Sequence, residues 1–306
     1  MRQGFIGAVL LGLAVLAAPP ALAEEARLPV VATFSVLGDM AKAIGGEHVA
    51  VTTLVGPDSD THSYEPTPRD AQTISAAKLL ITNGLGLEGW LDRLRSAAQF
   101  KGTVVVATAG IAPLTIAEDE GGAGARAGKR VRDPHAWQSA ANGEVYADNI
   151  MKGLVAADPA HADDYRRRAD AYRAELAALD KTIRETLADI PKEKRRVITT
   201  HDAFQYYGQA YGVAFLAPLG VTTESEPSAG DLAKLERQIR REHIKALFLE
   251  NVTSPRLIAQ IAKETGAVLG PPLYSDALSK PDAPAGTYLT MLEYNTAVLK
   301  AGMLKN

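Results

Sequence analysis

Between Pro159 and Pro191 the chain contains neither proline nor glycine, and the run is entered through Asp158, an N-cap residue, with proline at the first helical position. Within it Tyr165, Ala169, Tyr172, Leu176, Leu179, Ile183 and Leu187 recur at three- and four-residue spacing. On a helix that spacing lines them along one face, so the run predicts a single helix over 158–190 with a buried stripe along its whole length. At about 1.5 Å per residue it is a rod of about 45 Å, comparable to a whole domain. A connector of that kind is stiff, unlike a hinge of crossing strands.

On either side of the rod, short β-branched runs alternate with helical patterns. Before it, Leu28 to Val36, Val49 to Val55, Lys78 to Thr82 and Thr103 to Thr108 read as strands, with helices around Leu37 to Ile44, Thr67 to Ala77 and Leu87 to Ala97. After it, strands are expected at Arg196 to Thr200, Val213 to Ala217, Lys245 to Glu250 and Val268 to Leu273. Helices are expected there at Asp202 to Tyr211, Ser228 to Glu242, Pro255 to Thr265 and Ala285 to Met303. Strand and helix in alternation imply an α/β fold of two lobes, each with a mostly parallel sheet flanked by helices. The expected division is 24–157 for the first lobe, 158–190 for the linking helix and 191–306 for the second. A weak echo joins the two: Glu65-Pro66-Thr67-Pro68-Arg69-Asp70 and Glu226-Pro227-Ser228-Ala229-Gly230-Asp231 each precede a helix with a hydroxyl residue at the cap and an Asp three residues on. Helix capping alone explains that likeness. The low-complexity segment Ala117 to Arg132, acidic first, glycine-rich and then basic, is expected to be a mobile surface loop.

Arg2, the apolar run Phe5 to Ala18, Pro19-Pro20 and the Ala21-Leu22-Ala23 step read as a secretory signal peptide cleaved after Ala23. Pro19-Pro20 argues against a membrane anchor, and no insertion in the membrane is expected after cleavage. Removing Arg2 leaves 32 basic residues against 36 acidic ones, which lends no support to nucleic acid as a partner. The chain has no cysteine. An exported protein of this kind carries no disulfide, cannot be tethered through a lipidated cysteine, and must build any metal site from His and carboxylates. A periplasmic monomer is expected.

The six histidines differ in setting. His48, His161 and His243 lie in charged turns or helix ends and read as plain surface residues. His62, in the turn Gly56-Pro57-Asp58-Ser59-Asp60-Thr61-His62-Ser63-Tyr64-Glu65-Pro66, His135, in Arg132-Asp133-Pro134-His135-Ala136-Trp137, and His201, in Ile198-Thr199-Thr200-His201-Asp202, share another grammar. His62 and His201 stand where a strand gives way to a helix, and Pro134 and Trp137 stiffen and anchor the segment that carries His135. Ligands of open α/β sheets gather at the carboxyl ends of strands. Adding Asp276, in Tyr274-Ser275-Asp276-Ala277, gives three imidazoles and one carboxylate, two residues from each lobe, a set that Zn²⁺ accepts in tetrahedral geometry. The competing reading, each His bonded to a turn carbonyl and Asp276 a cap, is left in balance by spacing alone.

The stretches DTHSYEPTPRD, RDPHAW, TTHDAFQYYGQAYG and YSDAL strongly resemble the periplasmic metal-binding receptors of zinc and manganese ABC transporters, the cluster A-I family of TroA- and ZnuA-like proteins. The resemblance covers essentially all of the mature chain, with the motifs in the family's order. It implies two lobes on a rigid helix, one metal ion between them, and His62, His135, His201 and Asp276 as its ligands. Manganese receptors of the family commonly have Glu at the third position; His201 there favours zinc by ligand preference. The histidine- and acid-rich loop of many zinc receptors has its counterpart in Ala117 to Arg132, which holds no His. Manganese, or both metals, is therefore the alternative cargo. The implied partner is an ABC transporter membrane permease; whether a periplasmic metal chaperone also loads the site through 117–132 is left open by the sequence. Binding is expected to weaken below about pH 6, because each imidazole must be neutral to ligate.

A zinc hydrolase is the rival from another class, since three His and a bound water make a nucleophile. A fourth protein ligand, Asp276, would close the open position that such an enzyme needs, and no His-Glu-x-x-His motif is present. A surface adhesin is disfavoured by the missing anchor. No enzymatic activity is expected.

Overall fold

The computed structural model describes residues 26–118, 129–224 and 229–306. The expected signal peptide lies outside them, as do the middle of the low-complexity segment and the start of the second capping echo.

The first half runs β1 (Leu28–Phe34), α1 (Ser35–Gly45), β2 (Val49–Val55), α2 (Pro68–Ala76), β3 (Leu79–Thr82), α3 (Leu91–Ala97) and β4 (Thr103–Val106). Its sheet has the order β2-β1-β3-β4 with every pair parallel. All four residues of β3 are buried, as expected of a strand covered by helices on both faces. A hairpin, β5 (Thr115–Glu118) with β6 (Lys129–Arg132), and a helix, α4 (Ala140–Ala157), complete this half. The spine α5 (Ala162–Ala188) follows, and then β7 (Arg196–Ile198), α6 (Gln205–Tyr211), β8 (Ala214–Leu216), α7 (Ala229–Glu242), β9 (Ala246–Leu247), α8 (Pro255–Thr265), β10 (Val268–Leu269) and α9 (Tyr288–Met303). The second sheet has the order β10-β9-β7-β8, again all parallel.

In each sheet the chain leaves one central strand for one side and then returns to build the other. Such a switch point opens a crevice at the carboxyl ends of the strands. The seven residues expected along the stripe of α5 are the ones it buries. They pack toward α4, α1 and α9, so the spine touches helices from both halves. One large core cluster runs from Leu28 to Met303, and a smaller one, around Ile198, Leu235, Ile239, Leu247, Ile258 and Ile261, lies under α7 and α8.

Several expectations are corrected. The ends of the low-complexity segment are strand, not loop: Ile116 pairs with Val131 and Ala117 with Arg130, and the β-branched residues there suit a ladder. The spine begins as a short 3-10 turn, Pro159–His161, before the α-helix proper. In the second sheet β9 and β10 are cut short because Pro271 and Pro272 have no N–H to donate; the ladder resumes beyond them as a parallel bridge between Glu250 and Leu273. Helix α4 fills a stretch in which no element is expected from the sequence. His48 and His161 are not separate surface residues: their rings stack at 3.9 Å, His48 Nε2 lies 2.8 Å from Asp164 and His161 Nδ1 lies 2.7 Å from Asp158.

Candidate metal centre

Each of the four expected residues is held by local chemistry. After β2 the turn carries Asp60, whose Oδ1 accepts the His62 backbone N–H at 2.9 Å, while Trp90 Nε1 donates to Thr61 O at 3.0 Å. The same device recurs after the hairpin, where Asp133 Oδ1 accepts the His135 N–H at 2.9 Å. An Asp two residues before its donor forms a tight local turn of this kind without help from secondary structure. After β7, Glu250 reaches across from the end of β9, and its Oε1 accepts the N–H groups of Thr200 and His201, both at 2.8 Å. Asp276 follows β10 and is tied to the His135 segment across the halves. Trp137 Nε1 and Gln138 Nε2 both donate to Ser275 O, at 2.9 and 2.8 Å, and Tyr288 donates its hydroxyl to Trp137 O.

The result is convergence. His62, His135, His201 and Asp276 each offer a donor atom, all within 4.8 Å of one another, and all four are buried. His62 Nε2 lies 3.2 Å from His135 Nε2 and 3.3 Å from Asp276 Oδ2. His201 Nε2 is 3.2 Å from Asp276 Oδ2, and His135 Nε2 is 3.5 Å from Oδ1. Yet both Asp276 oxygens are buried without a hydrogen-bond partner among the described residues. Apart from the His62–His135 contact, which is in hydrogen-bond geometry, the donor atoms lie close without bonding one another and point at a common centre between them. A buried carboxylate whose only near neighbours are three imidazoles is costly unless a cation at their centre completes it. The donor set and its size therefore fit a divalent metal.

Two residues outside the expected set shape the site. Asp133 Oδ1 also lies 2.7 Å from His135 Nδ1, and Glu250 Oε2 lies 2.5 Å from His201 Nδ1. A carboxylate on Nδ1 keeps the proton there and leaves the lone pair of Nε2 facing inward. The signal for Asp133 is legible as the shared Asp-x-His spacing at 60–62 and 133–135; Glu250, from a distant strand, leaves none. Burial works against a charged His201, but Glu250 and Asp276 outweigh it and hold the imidazole well above its ordinary value. Burial likewise pushes Asp276 up, while His201 and His135 hold its carboxyl well below the usual carboxylate range.

A buried cluster of three imidazoles and a carboxylate, set between two parallel sheets on one helical spine, defines a metal-binding receptor rather than an enzyme with an open site. Comparison with known proteins gives the family. The model for ZnuA, the periplasmic zinc-uptake complex component A, matches residues 30–302, and the chain belongs to that family. Among curated relatives, the iron-binding protein YfeA of Yersinia pestis is 36% identical over 278 residues, covering 90% of this chain and 86% of that protein. The manganese-binding lipoprotein MntA of Bacillus subtilis is 34% identical, covering 96% of this chain and 97% of that one. Among solved structures, the periplasmic zinc binding protein TroA of Treponema pallidum superimposes with a TM-score of 0.83 at 27% identity, covering 91% and 99% of the two chains. The chain is thus the metal-binding, substrate-binding component of an ABC transporter, which implies an associated permease and ATPase. Its relatives are extracytoplasmic transport receptors and not enzymes. No helix among the described residues is long and apolar enough to cross a membrane.

Proposed function

We propose that the protein, exported by cleavage of residues 1–23, captures zinc in the periplasm through His62, His135, His201 and Asp276 and delivers it to the permease of an ABC importer. The lobes 24–157 and 191–306 hold the ion between them on the 158–190 helix. The observation that supports the ligand assignment is the buried Asp276 carboxylate, its oxygens without an aligned hydrogen bond, facing three imidazole nitrogens in one buried cluster. Three nitrogen donors support zinc, which binds such a set more tightly than manganese at equal free concentration.

One observation favours manganese as a second reading. Asp276 turns Oδ2 toward His62 and His201 and Oδ1 toward His135, so both oxygens can reach one ion and raise the donor count above four. The names of the relatives, which include manganese and iron binders, point the same way. Protein stripped with a chelator and dialysed against zinc and manganese at equal free concentrations decides between them. Bound metal measured by mass spectrometry is expected to be zinc; manganese in excess would overturn the zinc assignment, and no metal would overturn the site.

A further inference from the structure

His62 is the one proposed ligand with any solvent exposure, 8% against 0% for His135, His201 and Asp276. The path in and out of the cluster therefore runs past its ring. Two residues earlier Asp60 accepts the His62 N–H on Oδ1, and on Oδ2 it accepts the Ser63 hydroxyl at 2.8 Å and the Thr223 hydroxyl at 2.5 Å. Thr223 belongs to the segment after β8, in the other half of the molecule. That same segment brackets His201: Leu219 N–H donates to Thr200 O at 3.3 Å, and Asp202 N–H donates to Gly220 O at 3.0 Å. Residues 219–223 are thus clamped around one ligand at one end and hooked to the turn that carries another ligand at the other end.

We propose that residues 219–223 form a strap across the metal's exit and that the bond from Thr223 to Asp60 is its latch. This goes beyond the proposed function and rests on its ligand assignment. The latch is built to open. Asp60 keeps the His62 N–H and the Ser63 hydroxyl when Thr223 lets go, so no carboxylate is left unpaired, and the half-buried Thr223 hydroxyl can turn to water. The other hold on the His62 turn stays in place meanwhile: Asp58 N–H donates to Leu278 O at 2.9 Å, and Asn251 Nδ2 donates to Asp58 Oδ1 at 3.0 Å. Opening at Thr223 therefore frees the exposed side of the site without parting the two halves.

The test is the rate at which zinc leaves. Thr223→Val keeps the side chain's shape and removes its hydroxyl. Mixed with a chromogenic chelator in excess, the zinc-loaded variant is expected to release metal about tenfold faster than the wild type, the scale of a lost hydrogen bond to a charged group. Thr223→Ser is expected to restore the slow rate, and Gly153→Ala, which weakens the fold away from the site, is expected to keep it. Wild-type release from Thr223→Val, or release from Gly153→Ala as fast as from Thr223→Val, overturns the latch. A wild-type protein that takes up neither zinc nor manganese overturns the ligand assignment instead, which is a separate result.

Discussion

His62, His135 and His201 present the same imidazole with different support, and the support decides what a substitution does. His201 has a carboxylate on its Nδ1 and two backbone donors held by the same Glu250, so replacing Glu250 by Gln frees the ring and removes a charge facing it. Supporting carboxylates of this kind are worth about 10- to 100-fold in metal affinity. Glu250→Gln is expected to lose that much in a chelator competition, and His201→Ala far more, while His243→Ala is expected to leave affinity unchanged. Proton linkage follows from the same contacts. Burial opposes a charge on His201, but Glu250 and Asp276 outweigh it and hold its imidazole well above its ordinary value, so a metal bound by His201 as proposed would compete with a proton for that ring. Affinity therefore rises with pH and falls as pH drops through the raised value. Calorimetry in buffers of different ionisation enthalpy is expected to show a proton released on binding; a buffer-independent heat would contradict it. At this scale the sequence carried the four residues that converge, because strand ends and turn formers flank them. It did not carry Glu250, whose role exists only once β9 lies beside β7.

Among the elements, α4 shows why a helix with a strong structural role can be invisible in the sequence. It contains Gly143, Gly153, Asn142 and Asn149, which weaken helix propensity, and its buried stripe, Ala140, Gly143, Tyr146, Ala147, Ile150, Gly153 and Leu154, is made in good part of residues too small to stand out in the sequence. The glycines are there for packing. A Cβ on Gly153 would stand 2.1 Å from Val105 Cγ2, so the helix lies directly on β4. Gly153→Ala, which in an exposed helix would stabilise by about 1 kcal/mol, is expected here to destabilise by about 1–2 kcal/mol through overpacking. Urea unfolding should show a lower midpoint at unchanged slope, and Val105→Ala added to it should recover part of the loss. By contrast α2 and α5 were legible to within a few residues. Thr67 opens α2 with its N–H and hydroxyl both donating to Asp70 Oδ2, at 2.7 and 2.8 Å, as its capping sequence predicts. The stripe of α5 is buried at every predicted position. Periodicity and caps are local signals, whereas the close approach of a glycine to a neighbouring sheet is not.

For the whole molecule, the question is how far the halves move when metal arrives. Bonds that involve none of the four donor side chains cross between them: Trp137 and Gln138 to Ser275 O, Tyr288 to Trp137 O, and Asp58 to Leu278 O. The spine packs on α4 and α1 from one half and α9 from the other, and its 27 residues contain no glycine or proline at which to bend. A wide swing would break this buried contact, so binding at the proposed site is expected to act mainly by completing the charge of the cluster. Two measurements taken together test that argument. Zinc at about a thousandfold excess over its dissociation constant should stabilise the protein by about 4 kcal/mol, a melting shift on the order of 10 °C. The radius of gyration from X-ray scattering should meanwhile change by less than about 1 Å, since the motion is confined to loops at the site. A large melting shift with a contraction of several ångströms would mean that the spine hinges after all; a small change in size without a melting shift would mean that the cluster does not hold the ion.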